Sequence, residues 1–177
     1  MWREKQLNKI PVVILNGFLG SGKTTLFRKL LAQAKSKDIS VCAIVNDMSE
    51  LDVDGELIGS SESVEYNRHI MESINSCVLS SSIGLQKLHK ALNKLLTIES
   101  PELVIIETSG SCHPMPLIEY FSTQTHVLLT GVFALVDSLM LAHDFEYGKS
   151  LVPKMQKNLA QGERNMVNLL VEQILFC

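Results

Sequence analysis

The sequence lacks paired cysteines, long apolar runs and any basic block. Its four cysteines, at positions 42, 77, 112 and 177, show no C-x-x-C spacing. A disulfide framework is therefore not indicated, and reduced thiols in the cytoplasm are the simplest interpretation. The apolar runs are too short to span a bilayer and residues 1–9 are polar, so we expect neither a membrane partner nor a signal peptide.

The net charge and the length of the chain further limit the class of protein. The formal net charge is -3, and the lysines and arginines are dispersed, which argues against nucleic acid as a main partner. The chain has 177 residues, of which 46% are hydrophobic and 20% are charged, so it can bury one sizeable core. We therefore expect a single globular domain over residues 1–177.

The clearest feature that is present is a glycine-rich motif. Residues 17–24 read GFLGSGKT and fit the pattern G-x-x-x-x-G-K-[ST]. An apolar run at 10–15 predicts a strand before the motif, and residues 24–35 predict a helix after it. A strand, a glycine-rich turn and a helix N-terminus form a phosphate site, because successive backbone N–H groups can point at phosphate oxygens. The sequence therefore predicts a nucleoside triphosphate site.

Each residue type in this motif has a chemical reason. The glycines allow the tight turn, Lys23 supplies positive charge for the β- and γ-phosphates, and the Thr24 hydroxyl is placed to coordinate Mg²⁺. Lys23 is also a predicted catalytic residue. The predicted nucleotide-binding residues of the loop and the first helical turn are Gly17, Gly20, Ser21, Gly22, Lys23, Thr24 and Thr25.

Strand and helix patterns alternate along the rest of the chain. The further strands are predicted at 40–45, 102–107 and 131–136, and the further helices at 83–97, 115–122 and 153–172. This alternation predicts a mostly parallel sheet with helices on both faces, the three-layer α/β/α architecture of P-loop proteins. Residues 46–72 are predicted to form a long polar loop, and loops of that length in a compact domain usually carry function.

A second nucleotide element lies at the end of the strand predicted at 102–107. The strand ends in Glu107, and Thr108, Ser109 and Gly110 follow it. Glu107 is predicted to hold Mg²⁺ through a water or to orient the attacking water, and the Gly110 N–H to meet the γ-phosphate. A buried strand whose edge carboxylate is simply hydrogen-bonded is the alternative interpretation.

A third element is the acidic segment after the second predicted strand. Asp52 and Asp54 lie in this segment, where a nucleotide switch would be found. Either carboxylate is placed to reach Mg²⁺ or to position water, and Asp54 joins Lys23 and Glu107 as a predicted catalytic residue. A solvated acidic loop is the alternative interpretation.

Taken together, the motifs resemble those of the CobW-type GTPases, relatives of the UreG and HypB metallocentre GTPases. The resemblance is carried by GFLGSGKTTL at 17–26, VNDMSELDVD at 45–54, ETSGSCHP at 107–114 and GVFALVD at 131–137. It implies a GTPase that binds GTP, GDP and Mg²⁺ and couples hydrolysis to a conformational switch. It also implies delivery of zinc or cobalt to a client metalloprotein or an assembling metallocentre. Homodimers are common among the related GTPases.

The metal motif departs from the family pattern. The family's N-G-C-x-C-C is replaced by NSCVLS at 75–80, in which only Cys77 remains. A soft-metal site needs about four nitrogen or sulfur ligands. Glu50, Asp47, Cys112 and His113 are the candidates to complete a transition-metal site with Cys77. The alternatives are that Cys77 is a small buried residue and that Cys112 and His113 belong to a loop fixed by prolines.

The end of the chain is a second departure. Residues 171–177 resemble the helix that precedes the family's guanine-reading N-K-x-D motif, and the sequence contains no N-K-x-D. The family's separate C-terminal domain has no counterpart, so we expect a GTPase domain that is incomplete at its C-terminus. Selectivity for GTP over ATP is therefore implied by the family alone.

Two other functions compete with a GTPase. A small P-loop kinase shares the first motif but needs an arginine-rich lid, and the only arginines are at positions 3, 28, 68 and 164. The second rival is a nucleotide-gated interaction module that has lost its metal site. The loss of thiols at positions 79 and 80 favours this module. Nucleotide competition tests the kinase, and zinc titration tests the module.

Overall fold

Five strands and six helices make up the regular structure of the described residues. The computed structural model describes residues 9–47, 69–98 and 100–177. The strands are β1 (Ile10–Gly17), β2 (Val41–Asp47), β3 (His69–Asn75), β4 (Leu103–Glu107) and β5 (Val127–Leu135). The helices are α1 (Lys23–Ser36), α2 (Ser82–Ile98), α3 (Pro114–Ser122), α4 (Ser138–Asp144), α5 (Leu151–Ala160) and α6 (Met166–Leu175). None of the helices in these ranges has both the length and the apolarity needed to cross a bilayer.

The strands form one sheet in the order β3-β2-β4-β1-β5, and every pairing between the described strands is parallel. Helices pack on both faces, so the predicted three-layer α/β/α fold is confirmed. In the register of the sheet, Glu107 lies beside Leu15 of β1 and beside Val45 of β2. Because the strands run in one direction, their carboxyl ends meet at one edge, which is where open α/β sheets bind ligands.

The inner strands are buried on both faces. Val12 and Ile14 of β1 pack in one apolar cluster with α2 and α3. Leu15 belongs to a second cluster on the opposite face, where it packs with Phe27 of α1. Side chains of a strand alternate between faces, so a strand covered on both sides is apolar at nearly every position. This two-sided burial explains the apolar runs from which β1, β2 and β4 were predicted.

One predicted loop contains a strand. β3 begins at His69, inside the stretch 46–72 that the sequence predicts as a polar loop. It lies at one end of the described sheet and pairs there with β2. A strand at this position needs fewer apolar residues than an inner strand, so its sequence, HIMESIN, lacks a continuous apolar run.

The helical region near the end of the chain also differs from the prediction. The single helix predicted over 153–172 is wrong, because α5 and α6 are separate helices. Gly162 lies between them with a φ of 73°, and Asn165 caps α6 by accepting from the Val167 N–H. α4 is not among the predicted helices, and its N-terminus is capped by the side chain of Asp137.

The packing of α2 against residues 78–79 can be tested at Gly84. Alanine favours a helix over glycine by about 1 kcal/mol, yet we expect Gly84→Ala to destabilise the domain. A Cβ at this position would stand 2.0 Å from the Val78 carbonyl oxygen and 2.6 Å from the Leu79 Cα. The backbone must therefore shift, and we expect the free energy of unfolding in urea to fall by about 1–3 kcal/mol.

Gln86→Ala is the control for this measurement, since Gln86 is exposed on the same helix. Its free energy of unfolding should stay within about 0.5 kcal/mol of the wild type. A Gly84→Ala protein as stable as the wild type would contradict the close approach of α2 to residues 78–79.

Candidate nucleotide-binding site

Glycine shapes the loop between β1 and α1. Gly17, Gly20 and Gly22 have φ angles of 135°, 78° and 93°, which residues with a side chain rarely adopt. At Gly17, a Cβ would also stand 2.2 Å from the Leu135 carbonyl oxygen. Gly22 directly precedes α1 and has no side chain to cap it. The backbone N–H groups of the first helical turn are therefore available to an anion.

A cavity of about 350 Å³ opens over this loop. The loop, the ends of β2 and β4 and residues 108–110 line it. The predicted site residues in this lining are Gly20, Gly22, Lys23, Thr24, Thr25, Glu107 and Gly110. Gly17 and Ser21 belong to the loop but not to the lining. The fold thus brings the glycine-rich motif and the Glu107 motif to one cavity.

Lys23 lies at the start of α1 with 7% of its surface exposed. Its Nζ donates a hydrogen bond to the Phe18 carbonyl oxygen at 2.7 Å. Burial lowers the pKa of Lys23, and the Glu107 carboxylate opposes this shift. An ammonium group with little water around it attracts an anion more strongly than a surface lysine does. The position of Lys23 is therefore suited to binding phosphate.

Thr24 and Glu107 join the two motifs directly. The Thr24 hydroxyl donates to Glu107 Oε1 at 2.5 Å, and Glu107 is 5% exposed. Hydroxyl and carboxylate oxygens are hard ligands of the kind that Mg²⁺ uses beside nucleotide phosphates. The chemistry of this pair of side chains therefore fits Mg²⁺.

The residues that follow β4 form a tight turn, Ser109–Cys112, here called the 109–112 turn. The Cys112 N–H donates to the Ser109 carbonyl oxygen at 3.1 Å and closes the turn. The turn lies against the glycine-rich loop, because a Cβ on Gly110 would stand 2.7 Å from the Leu19 backbone nitrogen. Only glycine permits such a close approach of two backbones.

Asn46 at the end of β2 connects this turn to the segment that contains Cys77. The Asn46 side chain is buried, and its Nδ2 donates to the carbonyl oxygens of Ile74 and Cys77, both at 2.8 Å. Its Oδ1 accepts from the Ser109 N–H at 3.4 Å. One amide therefore holds two segments that the sequence analysis treated as separate motifs.

Three buried amides that contact residues 108–110 are not among the predicted site residues. Asn16, Asn46 and Gln173 are at most 4% exposed. The available signal was a polar residue at the end of an apolar strand, for Asn16 and Asn46, and within an apolar helix pattern, for Gln173. Buried polar groups of this kind require hydrogen-bond partners, which points to contacts with backbone or with one another.

Three of the predicted transition-metal ligands, Cys77, Cys112 and His113, lie in the described part of the chain. Cys112 is fully buried, and burial raises the pKa of its thiol to about 11, so the thiol is protonated at neutral pH. His113 Nδ1 lies 2.6 Å from Glu172 Oε2. In the part of the chain that the structure describes, no three His, Cys, Asp or Glu side chains are placed to hold one metal ion. Cys112 and His113 therefore do not form such a site within this part of the chain.

Cys77 is half-buried and packs against the apolar cluster that includes α2. Glu50, Asp52 and Asp54 lie outside the described residues. The predicted roles of Glu50 with Cys77 in binding a transition metal, of Asp52 and Asp54 in binding Mg²⁺, and of Asp54 in catalysis stay predictions.

A glycine-rich loop, a helix N-terminus and a buried acid at the carboxyl edge of a parallel sheet define the P-loop class of nucleotide-binding domains. Residues 11–171 match the family model for the CobW/HypB/UreG nucleotide-binding domain. The chain belongs to this family, and the resemblance drawn from its motifs is confirmed.

Three relatives illustrate the match. The chain is 30% identical to the zinc-regulated GTPase metalloprotein activator 1 of Dictyostelium discoideum, over 95% of this chain and 38% of the relative. It is 37% identical to the zinc chaperone CobW of a Sinorhizobium species, over 76% of this chain and 38% of the relative. It is 37% identical to the zinc chaperone YjiA of Escherichia coli K12, over 75% of this chain and 42% of the relative. The chain thus spans about two fifths of the length of these relatives.

Gly110 provides a test of the contact between the 109–112 turn and the glycine-rich loop. In Gly110→Ala, the new Cβ must push the turn away from Leu19. We expect the affinity for a fluorescent nucleoside triphosphate analogue to fall by about tenfold or more, which corresponds to about 1.4 kcal/mol. Ser111→Ala, in the same turn and exposed, is the control. Equal affinities of Gly110→Ala and the wild type would contradict the contact.

Proposed function

We propose that this chain binds and hydrolyses GTP with Mg²⁺ and that the resulting conformational switch serves metal delivery or metallocentre assembly. The observation that carries this proposal is the cluster of Lys23, Thr24 and Glu107 in one cavity beside a helix N-terminus. Family membership supports it, as do relatives whose names include a zinc-regulated GTPase metalloprotein activator and zinc chaperones.

In this proposal the chain binds the phosphates through backbone and one lysine. The loop amides from Gly20 to Thr25 hold the phosphate oxygens, and Lys23 leaves the Phe18 carbonyl to pair with the β- and γ-phosphates. Thr24 and Glu107 would hold Mg²⁺, which supplies charge neutralisation between these phosphates when bound. Glu107 orients the attacking water, and Asp54 assists it as a second carboxylate.

The switch is proposed to begin at Gly110. Its N–H meets the γ-phosphate, so hydrolysis removes an anion that the turn holds. The turn contacts the glycine-rich loop at Leu19 and the end of β2 at Asn46. A change at Gly110 therefore reaches the segment around Cys77 through Asn46.

The nucleotide selectivity, the metal and the partners in this proposal are taken from the relatives and the motifs. Guanine selectivity follows the family, and zinc is the metal named by the relatives, with cobalt as the alternative. The partners would be GTP, GDP and a client metalloprotein, and a second copy of the chain in a homodimer. A cytoplasmic site of action is consistent with four cysteines that form no disulfide.

A second candidate function is a nucleotide-gated interaction module without a metal site. The observation that favours it is the burial of Cys112 in the apolar core, together with the absence of any group of three potential metal ligands among the described residues. Zinc titration of the wild type and Cys77→Ser separates the two. A loss of zinc affinity of about tenfold or more in Cys77→Ser, which corresponds to about 1.4 kcal/mol, supports metal delivery. Unchanged affinity supports the interaction module.

Lys23→Ala tests nucleotide binding. We expect the affinity for a fluorescent GTP analogue with Mg²⁺ to fall by about a hundredfold, or about 2.7 kcal/mol, because a buried charge toward the phosphates is lost. Lys29→Ala is the control, since Lys29 is exposed on the same helix. Unlabelled GTP should displace the analogue from the wild type better than ATP. Equal loss of affinity in both variants would contradict the site.

Glu107→Gln tests hydrolysis separately from binding. The amide keeps the size of the side chain but removes its charge, so GTP should still bind while single-turnover phosphate release slows by about 10²-fold. Glu119→Gln, exposed on α3, is the control and should hydrolyse at the wild-type rate. An unchanged rate in Glu107→Gln would overturn the catalytic role of this carboxylate.

A further inference from the structure

Gln173 of α6 contacts the 109–112 turn, whose residue Gly110 lines the cavity. Its side chain is fully buried, with 0% exposure. Its amide nitrogen donates towards three oxygens: the Cys112 carbonyl at 3.1 Å, the Gly110 carbonyl at 3.2 Å and Asn16 Oδ1 at 3.3 Å. One side chain therefore contacts both the 109–112 turn and the last residue before the glycine-rich loop.

The orientation of this amide is determined by its neighbours. All three contacts are oxygen acceptors, so the reversed amide would place its own oxygen against three oxygens. Gln173 Oε1 is buried and has no hydrogen-bond partner among the described residues. Because the amide oxygen has no partner, the hydrogen bonds that the amide nitrogen donates hold this side chain in place.

The contacts fix the 109–112 turn from one side. The Gly110 and Cys112 carbonyl oxygens both point towards Gln173, while the other side of Gly110 lies against Leu19. The turn therefore lies between α6 and the glycine-rich loop and contacts both.

Glu172, the residue before Gln173 in α6, contacts the residue that follows the turn. Glu172 Oε2 lies 2.6 Å from Nδ1 of His113, the residue directly after the turn. The His113 N–H donates to Ser80 Oγ at 3.1 Å. Gln173 therefore contacts the 109–112 turn, and Glu172 contacts His113, the residue directly after it.

We propose that Gln173 is a positioning residue for recognition of the triphosphate. It holds the Gly110 and Cys112 carbonyl oxygens so that the Gly110 N–H stands where a γ-phosphate reaches and a diphosphate does not. The inference rests on the proposed function, because it assumes that the cavity binds nucleotide. It adds α6 to the elements that respond to the state of the nucleotide.

Gln173→Glu is the variant that isolates this role. It keeps the shape of the side chain and turns its donor group into a carboxylate that faces three oxygens. The turn must move away from α6, and the Gly110 N–H moves with it. In the proposed function the α- and β-phosphates contact the glycine-rich loop rather than the turn. Asn16 Oδ1, beside that loop, keeps its hydrogen bonds from the Gly17 N–H and the Thr108 hydroxyl in this variant, so diphosphate binding should change little. The exposed Gln86→Glu variant of α2 is the control for the added charge.

The experiment measures the dissociation constants of a fluorescent, non-hydrolysable GTP analogue and of fluorescent GDP, both with Mg²⁺. We expect Gln173→Glu to reduce the preference for triphosphate over diphosphate by about tenfold, with the GDP constant within about twofold of wild type. A preference unchanged in Gln173→Glu would overturn the inference. Equal loss of affinity for both nucleotides would also overturn it, because it indicates a structural role only.

Glu172→Ala provides the second variant if Gln173→Glu fails to fold. Its side chain is partly exposed, so its removal leaves no buried charge. The triphosphate preference should fall by about threefold in this variant, and an unchanged preference would contradict the inference. A wild-type chain that binds neither nucleotide would overturn the proposed function and this inference together. A wild type that prefers triphosphate, with variants that keep the preference, would overturn the inference alone.

Discussion

The parallel pairing of β1 with β4 is the constraint on which the candidate site depends. Leu15 lies opposite Glu107 in this register, and the Thr108 N–H donates to the Leu15 carbonyl oxygen at 3.0 Å. A shift of one residue would turn Glu107 to the other face of the sheet and away from Thr24. Both strands pack in the apolar core on their two faces, so the same pair of strands supports the core and the cavity over the glycine-rich loop.

Buried amides extend this geometry from the sheet edge to the surrounding segments. Asn46 accepts from the 109–112 turn at the end of β2, and Gln173 donates to it from α6. Losing any of these hydrogen bonds inside the protein is costly, so each of the two amides accepts few alternative positions for its partners. The turn is therefore linked to two separate parts of the fold as well as to the glycine-rich loop.

The described residues bring together the nucleotide motifs of the family pattern but no group of three metal ligands. Lys23, Thr24 and Glu107 meet in one cavity, although they come from two distant motifs. Cys112, by contrast, lies in the apolar core with its pKa raised, and a protonated thiol is a poor metal ligand because metals bind the thiolate. Any transition-metal site that includes Cys77 depends on ligands beyond those that the described residues bring together.

The sequence by itself determined the phosphate-binding loop and the layered fold, because a glycine-rich turn between a strand and a helix, and apolar runs of strand length, are encoded by neighbouring residues. It did not predict β3, whose position at the end of the described sheet permits a polar sequence, or the break between α5 and α6 at Gly162. The tertiary structure alone decided which polar groups meet. Gln173 reaches Asn16 across 157 positions of sequence, and such contacts depend on how a helix packs rather than on any local pattern.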